Sequence, residues 1–269
     1  MKKNRYALGA LAVAVTALAS AGSALAAGAP IDEKKASAAV ELPAGTAVQA
    51  PLPEVKQKKA LTAEEWKAIT ARLPKAELMN GFAVHSKHFC ASCHGKEGLA
   101  DTSNWPDIAG QPAAVTVKAL LDYRDGRRKG TPAADLMAAA AAKLTDQEIV
   151  DAAALYAYLP GRNAGQKAPV LTMPVLVKTG DASRYITPCA ACHGTDASGN
   201  PNGLVPVLHG QQAAVTAAAL KDYRSGARSS DMMGEMRVFA RKLTDAEINE
   251  IADWYAAQPG RKGKESEEP

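Results

Sequence analysis

The segment Cys90-Ala91-Ser92-Cys93-His94-Gly95 recurs as Cys189-Ala190-Ala191-Cys192-His193-Gly194, and the two segments hold all four cysteines of the chain. The duplication runs well beyond the cysteines. Gly81 matches Gly180, Pro106 matches Pro206, Gly110-Gln111 matches Gly210-Gln211, and Asp122-Tyr123-Arg124 matches Asp222-Tyr223-Arg224. Met137 then matches Met236, and Lys143-Leu144-Thr145-Asp146 matches Lys242-Leu243-Thr244-Asp245. The offset of about 99 residues drifts by one and returns, as when one loop gains a residue and another loses one. Each copy spans roughly 80 to 90 residues, a size at which a hydrophobic core alone is only marginally stable, so something must supplement it.

Each copy reads as helix, long loop, helix, loop, helix. Thr145-Asp146-Gln147-Glu148 and Thr244-Asp245-Ala246-Glu247 are capping boxes that open the last helix. Behind them Ile149, Ala152, Ala153 and Tyr156, and likewise Ile248, Ile251, Ala252 and Tyr255, recur at helical spacing and predict one apolar face per copy. Pro112 suits the first turn of a middle helix that runs to about Arg124, with Gly126 ending it, and Gln212 holds the corresponding place in the second copy. With 47% hydrophobic residues, 5% aromatic residues and abundant alanine, an all-α protein is expected.

The flanks are different. Met1-Lys2-Lys3-Asn4-Arg5 is basic, an uncharged run follows to about Leu18, and Ala24-Leu25-Ala26 has the small-residue pattern of a cleavage site. A signal peptide over residues 1–26 is expected, since the apolar run is short for a membrane span. Losing Lys2, Lys3 and Arg5 leaves 29 basic against 28 acidic residues, so the net charge falls from +4 to +1. Such a nearly neutral chain gives no case for nucleic-acid binding. Residues 27–60, with four prolines, are expected to form a flexible extension. The first domain is assigned to 61–161, beginning with a short amphipathic helix that Thr62 caps, the linker to 162–177, and the second domain to 178–269.

C-x-x-C-H is the pattern of covalent haem attachment. Two thiols one helical turn apart reach two vinyl groups of one porphyrin, and the next histidine faces the iron. A disulfide or a zinc site are the alternatives, but four thiolates on zinc would leave both adjacent histidines without a role. The expected attachment residues are Cys90, Cys93 and His94 for one haem c and Cys189, Cys192 and His193 for the other. Met137 and Met236 are the expected sixth ligands, because a thioether favours ferrous iron and the two occupy equivalent positions, each in a loop ahead of the capped helix. Met232 and Met233 compete in the second copy. His85 and His88, placed ahead of the first motif, are expected to serve the surface. Pro106 and Pro206 are candidates to accept the second N–H of the two histidines, and Arg124, Arg127, Arg224 and Arg228 to pair with haem propionates or to cap solvated helix ends.

With C-x-x-C-H-G, Pro-x-x-x-Gly-Gln and a methionine before a capped final helix in each copy, residues 76–260 resemble the cytochrome c4 family. The resemblance implies two tandem class I cytochrome c domains, each a small helical bundle around one covalently attached haem. It further implies two six-coordinate irons, a pseudo-twofold relation with haem edges facing, and transfer of electrons from a donor complex to a terminal oxidase. The N-terminal extension departs from that compact pattern. A non-enzymatic periplasmic carrier is therefore expected, with quinol-cytochrome c reductase, a terminal oxidase or a dehydrogenase as redox partners and any membrane association through them. An electron-accepting subunit of a dehydrogenase and a catalytic dihaem enzyme with an open iron stand as alternatives.

Overall fold

The apolar stripes, caps and glycine stops of the sequence become short helices. The computed structural model describes residues 57–200 and 204–263; the assigned signal peptide and most of the extension lie outside them. In the first copy these are α1 (Ala63–Thr70), α2 (Leu78–Lys87), α3 (Ala91–His94), α4 (Ala113–Arg124), α5 (Pro132–Ala141) and α6 (Asp146–Tyr158). The second copy has α7 (Val175–Lys178), a 3₁₀ turn at Ala182–Arg184, then α8 (Cys189–His193), α9 (Ala213–Ser225), α10 (Glu235–Ala240) and α11 (Asp245–Ala257). Among the described residues the only extended pairings are the isolated bridges Asp181 to Ile186 and Asn200 to Val205. No helix among them is long and apolar enough to cross a membrane.

The capping boxes form as expected. Thr62, Thr145 and Thr244 each accept from the amide three residues on, and Glu65, Glu148 and Glu247 accept from the cap amides in return. The predicted faces of α6 and α11 are buried, with Ile149, Ala153 and Ile248 inaccessible to solvent. Full burial of an Ile or Leu side chain contributes roughly 1.5–3 kcal/mol over exposure, so these two helices anchor their domains. Helix α6 packs against α2 at Gly81, where a Cβ would stand 2.5 Å from the Asp151 carbonyl oxygen and 2.6 Å from Leu155 Cβ. Buried Asp151 also accepts from the Glu77 amide at 2.7 Å, which satisfies a free N–H at the start of α2.

The element boundaries depart from the sequence reading at four places. Residues 132–141 and 235–240 are helical rather than loop, because Thr131 caps Ala134 N–H, Pro132 suits the first turn, and alanine continues the run, while Gly234 starts its counterpart. Pro112 sits at the N-cap of α4, one residue before the first turn. Helix α7 begins inside the stretch assigned to the linker, because Leu176 and Val177 are buried in the second core. Finally, residues 57–60 of the extension are fastened: Gln57 Nε2 donates to the carbonyls of Lys129 and Ala227, and the Lys58 amide donates to Gly126.

The contact between the copies is reciprocal. Gln111 Nε2 donates to the Val207 carbonyl at 2.9 Å while its Oε1 accepts from the Val207 amide at 3.1 Å. Gln211 repeats this on Asp107, donating to its carbonyl at 2.8 Å and accepting from its amide at 3.1 Å. The Gly161 amide donates to the Arg261 carbonyl at 2.8 Å, and the Gly260 amide to the Arg162 carbonyl at 2.7 Å. Equivalent residues exchanging equivalent bonds are the signature of a twofold-related interface, here within one chain.

Candidate haem-binding sites

Each C-x-x-C-H segment forms a single helical turn, α3 or α8, which puts its two sulfurs on one side and carries the histidine inward. His94 and His193 are buried, and their Nδ1 atoms donate to the carbonyls of Pro106 at 2.8 Å and Pro206 at 3.0 Å. That bond sets the ring orientation and leaves the other ring nitrogen for a metal. Burial holds both imidazoles below the usual histidine pKa, and the proline carbonyls offset this only in part, so the neutral, ligating form is present at neutral pH.

None of the four cysteines forms a disulfide. Burial pushes the Cys90 thiol up and the Cys189 thiol up to about 11. Among the described residues no three of His, Cys, Asp and Glu gather into a group that could hold a metal ion. Pairs of cysteine thiols beside an oriented, neutral imidazole are the donor set a covalently held iron tetrapyrrole needs. Met137 and Met236 lie half-buried on α5 and α10. Met233 is 91% exposed, whereas Met232 is half-buried.

Three of the four proposed arginines are engaged elsewhere. Arg124 donates to the Leu144 carbonyl and pairs with Asp146 at 2.8 Å, and Arg224 does the same with Leu243 and Asp245. Both thereby hold the start of the final helix, whose dipole favours the acidic cap they grip. Arg127 pairs with Asp125 at 2.6 Å. Arg228 instead stacks on Tyr223 at 4.4 Å, with a buried Nε that has no hydrogen-bond partner among the described residues, which suits an anionic group such as a propionate. Its equivalent, Arg128 over Tyr123 at 4.5 Å, escaped the sequence reading. An Arg one residue past Arg127, at an offset of 100 from Arg228, was the available signal.

His85 is a correction. Rather than facing the surface it is buried, with Nδ1 2.9 Å from the Tyr156 hydroxyl, because α2 turns it toward α6. His88 is largely covered and bonds Glu148 at 3.0 Å. Also missed was Asp107, which is buried beside the His94 carbonyl partner and paired with Arg162 at 2.6 Å. Position 207 in the second copy is Val. The repeat Pro160-Gly161-Arg162 and Pro259-Gly260-Arg261 would have pointed to that contact.

The cytochrome c family model matches residues 78–160 and 181–256. The thiosulfate dehydrogenase electron acceptor of Thiomonas intermedia (strain K12) is 32% identical over 177 residues, covering 63% of this chain and 78% of that protein. Cytochrome c4 of Thiocapsa roseopersicina is 33% identical over 168 residues, covering 61% of this chain and 84% of that one. The crystal structure of reduced cytochrome c4 from Pseudomonas stutzeri superposes with a TM-score of 0.59 at 28% identity, covering 68% of this chain and all of the other. Two matched domains, the helical fold and the paired haem motifs agree: the chain belongs to the cytochrome c family, as a dihaem electron-transfer protein of the cytochrome c4 type with two covalently bound haem c groups.

Proposed function

We propose that the protein is a periplasmic electron carrier, not an enzyme. Cys90 and Cys93 attach one haem and Cys189 and Cys192 the other, with His94 and Met137, and His193 and Met236, as the axial pairs. The observation that carries this reading is the duplicated bond from a buried, motif-borne histidine to a proline carbonyl, at 2.8 and 3.0 Å. When bound, haem c supplies reversible one-electron chemistry at a potential that a thioether ligand raises. The chain's part is to hold each imidazole neutral and oriented, to keep water from the ring, and to fill the sixth position so that no substrate reaches iron. The exposure of Met233 supports Met236 as the second thioether.

Electrons then pass from a respiratory donor such as quinol-cytochrome c reductase to a terminal oxidase. A second reading is an electron-accepting subunit of a periplasmic dehydrogenase. It is supported by the similarity to a thiosulfate dehydrogenase electron acceptor, which is as strong as that to cytochrome c4.

The exported protein should carry two haems per chain and show, when ferric, the weak near-infrared band of a Met-to-iron bond. Met137→Ala and Met236→Ala should each remove about half of that band, as expected for equal axial thioethers. A colourless exported protein overturns the reading, and an unchanged band in Met236→Ala moves the second ligand to Met232. Reduction by a purified thiosulfate dehydrogenase faster than by quinol-cytochrome c reductase selects the dehydrogenase reading.

A further inference from the structure

The peptide that accepts from each iron-facing histidine is itself gripped by the opposite domain. His94 Nδ1 donates to the Pro106 carbonyl, and the same peptide unit presents the Asp107 N–H to Gln211 Oε1 at 3.1 Å. His193 donates to the Pro206 carbonyl, and that peptide presents the Val207 N–H to Gln111 Oε1 at 3.1 Å. Each glutamine amide then closes a ring by donating to the carbonyl of the residue whose N–H it accepts. We propose that Gln111 and Gln211 are crossed positioning residues: each sets the hydrogen bond of the histidine in the other domain and thereby tunes the other domain's iron.

The inference rests on His94 and His193 being the iron ligands. A peptide whose N–H is engaged becomes a stronger acceptor at its carbonyl, because hydrogen bonds in a chain polarise one another. A stronger acceptor makes the imidazole more electron-rich and a better ligand for ferric iron. Gln211 therefore lowers the potential of the first haem, and Gln111 that of the second. The same hydrogen bonds also join the domains, so the coupling and the docking of the domains use one set of atoms. Among the described residues no other side chain shares this role at Val207. At Asp107 the amide is held by Gln211, while the carboxylate is occupied by Arg162 and the Ala100 amide.

The test is a redox titration of the full holoprotein followed by proton NMR. The shifted haem-methyl signals of each ferric domain are identified by their separate loss in Met137→Ala and Met236→Ala. Gln211→Ala should raise the first haem's ferrous-to-ferric ratio two- to threefold at a fixed potential, a shift of about 20–30 mV at ~59 mV per tenfold for one electron. It should leave the second haem in place, and Gln111→Ala should do the converse. Amide exchange should quicken at Asp107 in the first variant and at Val207 in the second. Gln111→Glu keeps the acceptor and should return the second haem to its original potential or below.

A shift confined to the haem of the substituted domain, an equal shift of both, or no shift despite faster amide exchange would overturn the crossed role. If the unsubstituted protein lacks two low-spin haem signals, or the methionine variants fail to separate them, the ligand assignment falls instead.

Discussion

The two copies treat several equivalent positions outside the haem motifs differently. Gly81 lies within α2 and lets that helix cross α6 closely, whereas its match Gly180 has a φ of +69° and turns the chain back so that Asp181 and Ile186 exchange amide bonds. His85 of the first copy, buried against Tyr156, is replaced by Arg184, which pairs with Asp181 and Glu247. Asp107 with its Arg162 is replaced by Val207, and Ala109 by His209, which packs on Trp254 and Tyr255. Pro112 is replaced by Gln212, whose amide donates to the Thr102 and Trp105 carbonyls of the first copy. The proline carbonyls under the two histidines, the glutamine grips and the capped final helices stay the same. Duplication has preserved what orients the ligands and released the scaffold around them.

The largest effect should come from breaking the glycine comparison. A Cβ at Gly180 would stand 2.2 Å from the Ile186 oxygen, and a left-handed backbone penalises alanine as well. Gly180→Ala should cost about 3–4 kcal/mol. Gly81→Ala clashes in the helix crossing but recovers helix propensity, so its loss should be nearer about 2 kcal/mol. Thermal unfolding of the holoproteins ranks the two, and the reverse order would mean that Gly180 does not form the turn described.

Next comes the buried carboxylate. Arg162→Leu should destabilise the protein by about 2 kcal/mol, because Asp107 stays buried without its cation, discounted for the partial exposure of the arginine. Adding Asp107→Val, which makes the first copy resemble the second, should recover most of that loss in denaturant titration. No recovery would show that the pair is not independent of the surrounding loop.

The final helices should respond alike. Thr145→Ala and Thr244→Ala each remove the side-chain acceptor of a capping box, and each should cost about 1 kcal/mol. Unequal losses in denaturant titration would show that the caps, identical in geometry, carry different loads.

The smallest effect is on acid stability. The hydrogen bonds from Arg184 hold Glu247 down to about 2, below the 4.5 of an unfolded chain. A depressed carboxylate stabilises the fold above the unfolded value, and that contribution is lost as pH falls from about 4.5 toward 2. Arg184→Gln should therefore raise the acid-unfolding midpoint by a fraction of a pH unit, seen first in signals of the second domain. Glu148 of the first domain is held low by His88 and Lys87 and should be unaffected.

Much of this was legible along the chain. The haem motifs, the three capping boxes and the faces of α6 and α11 depend on residues within a turn or two of one another. The proline carbonyl partners of His94 and His193 were also foreseeable, since a proline follows each motif histidine at nearly the same distance, 12 and 13 residues on. The helical setting of Met137 was missed because the loop expected there is a capped, alanine-rich run, and that of Met236 because its helix is only six residues long and starts on Gly234 without a side-chain cap. The burial of His85 was missed because nothing near it in sequence shows that Tyr156, 71 residues away, will meet its ring.

By itself, the sequence determined the two haem motifs, the helical class and the repeat, because the C-x-x-C-H pattern, capping and helical periodicity are written in neighbouring residues. Only the tertiary structure decided which glycine packs and which one turns. It also decided that Arg162 neutralises Asp107 and that Gln111 and Gln211 reach across to each other's domain. Those contacts join residues 55 to 104 positions apart, and their strength comes from burial and direction, which exist only once the chain has closed on itself.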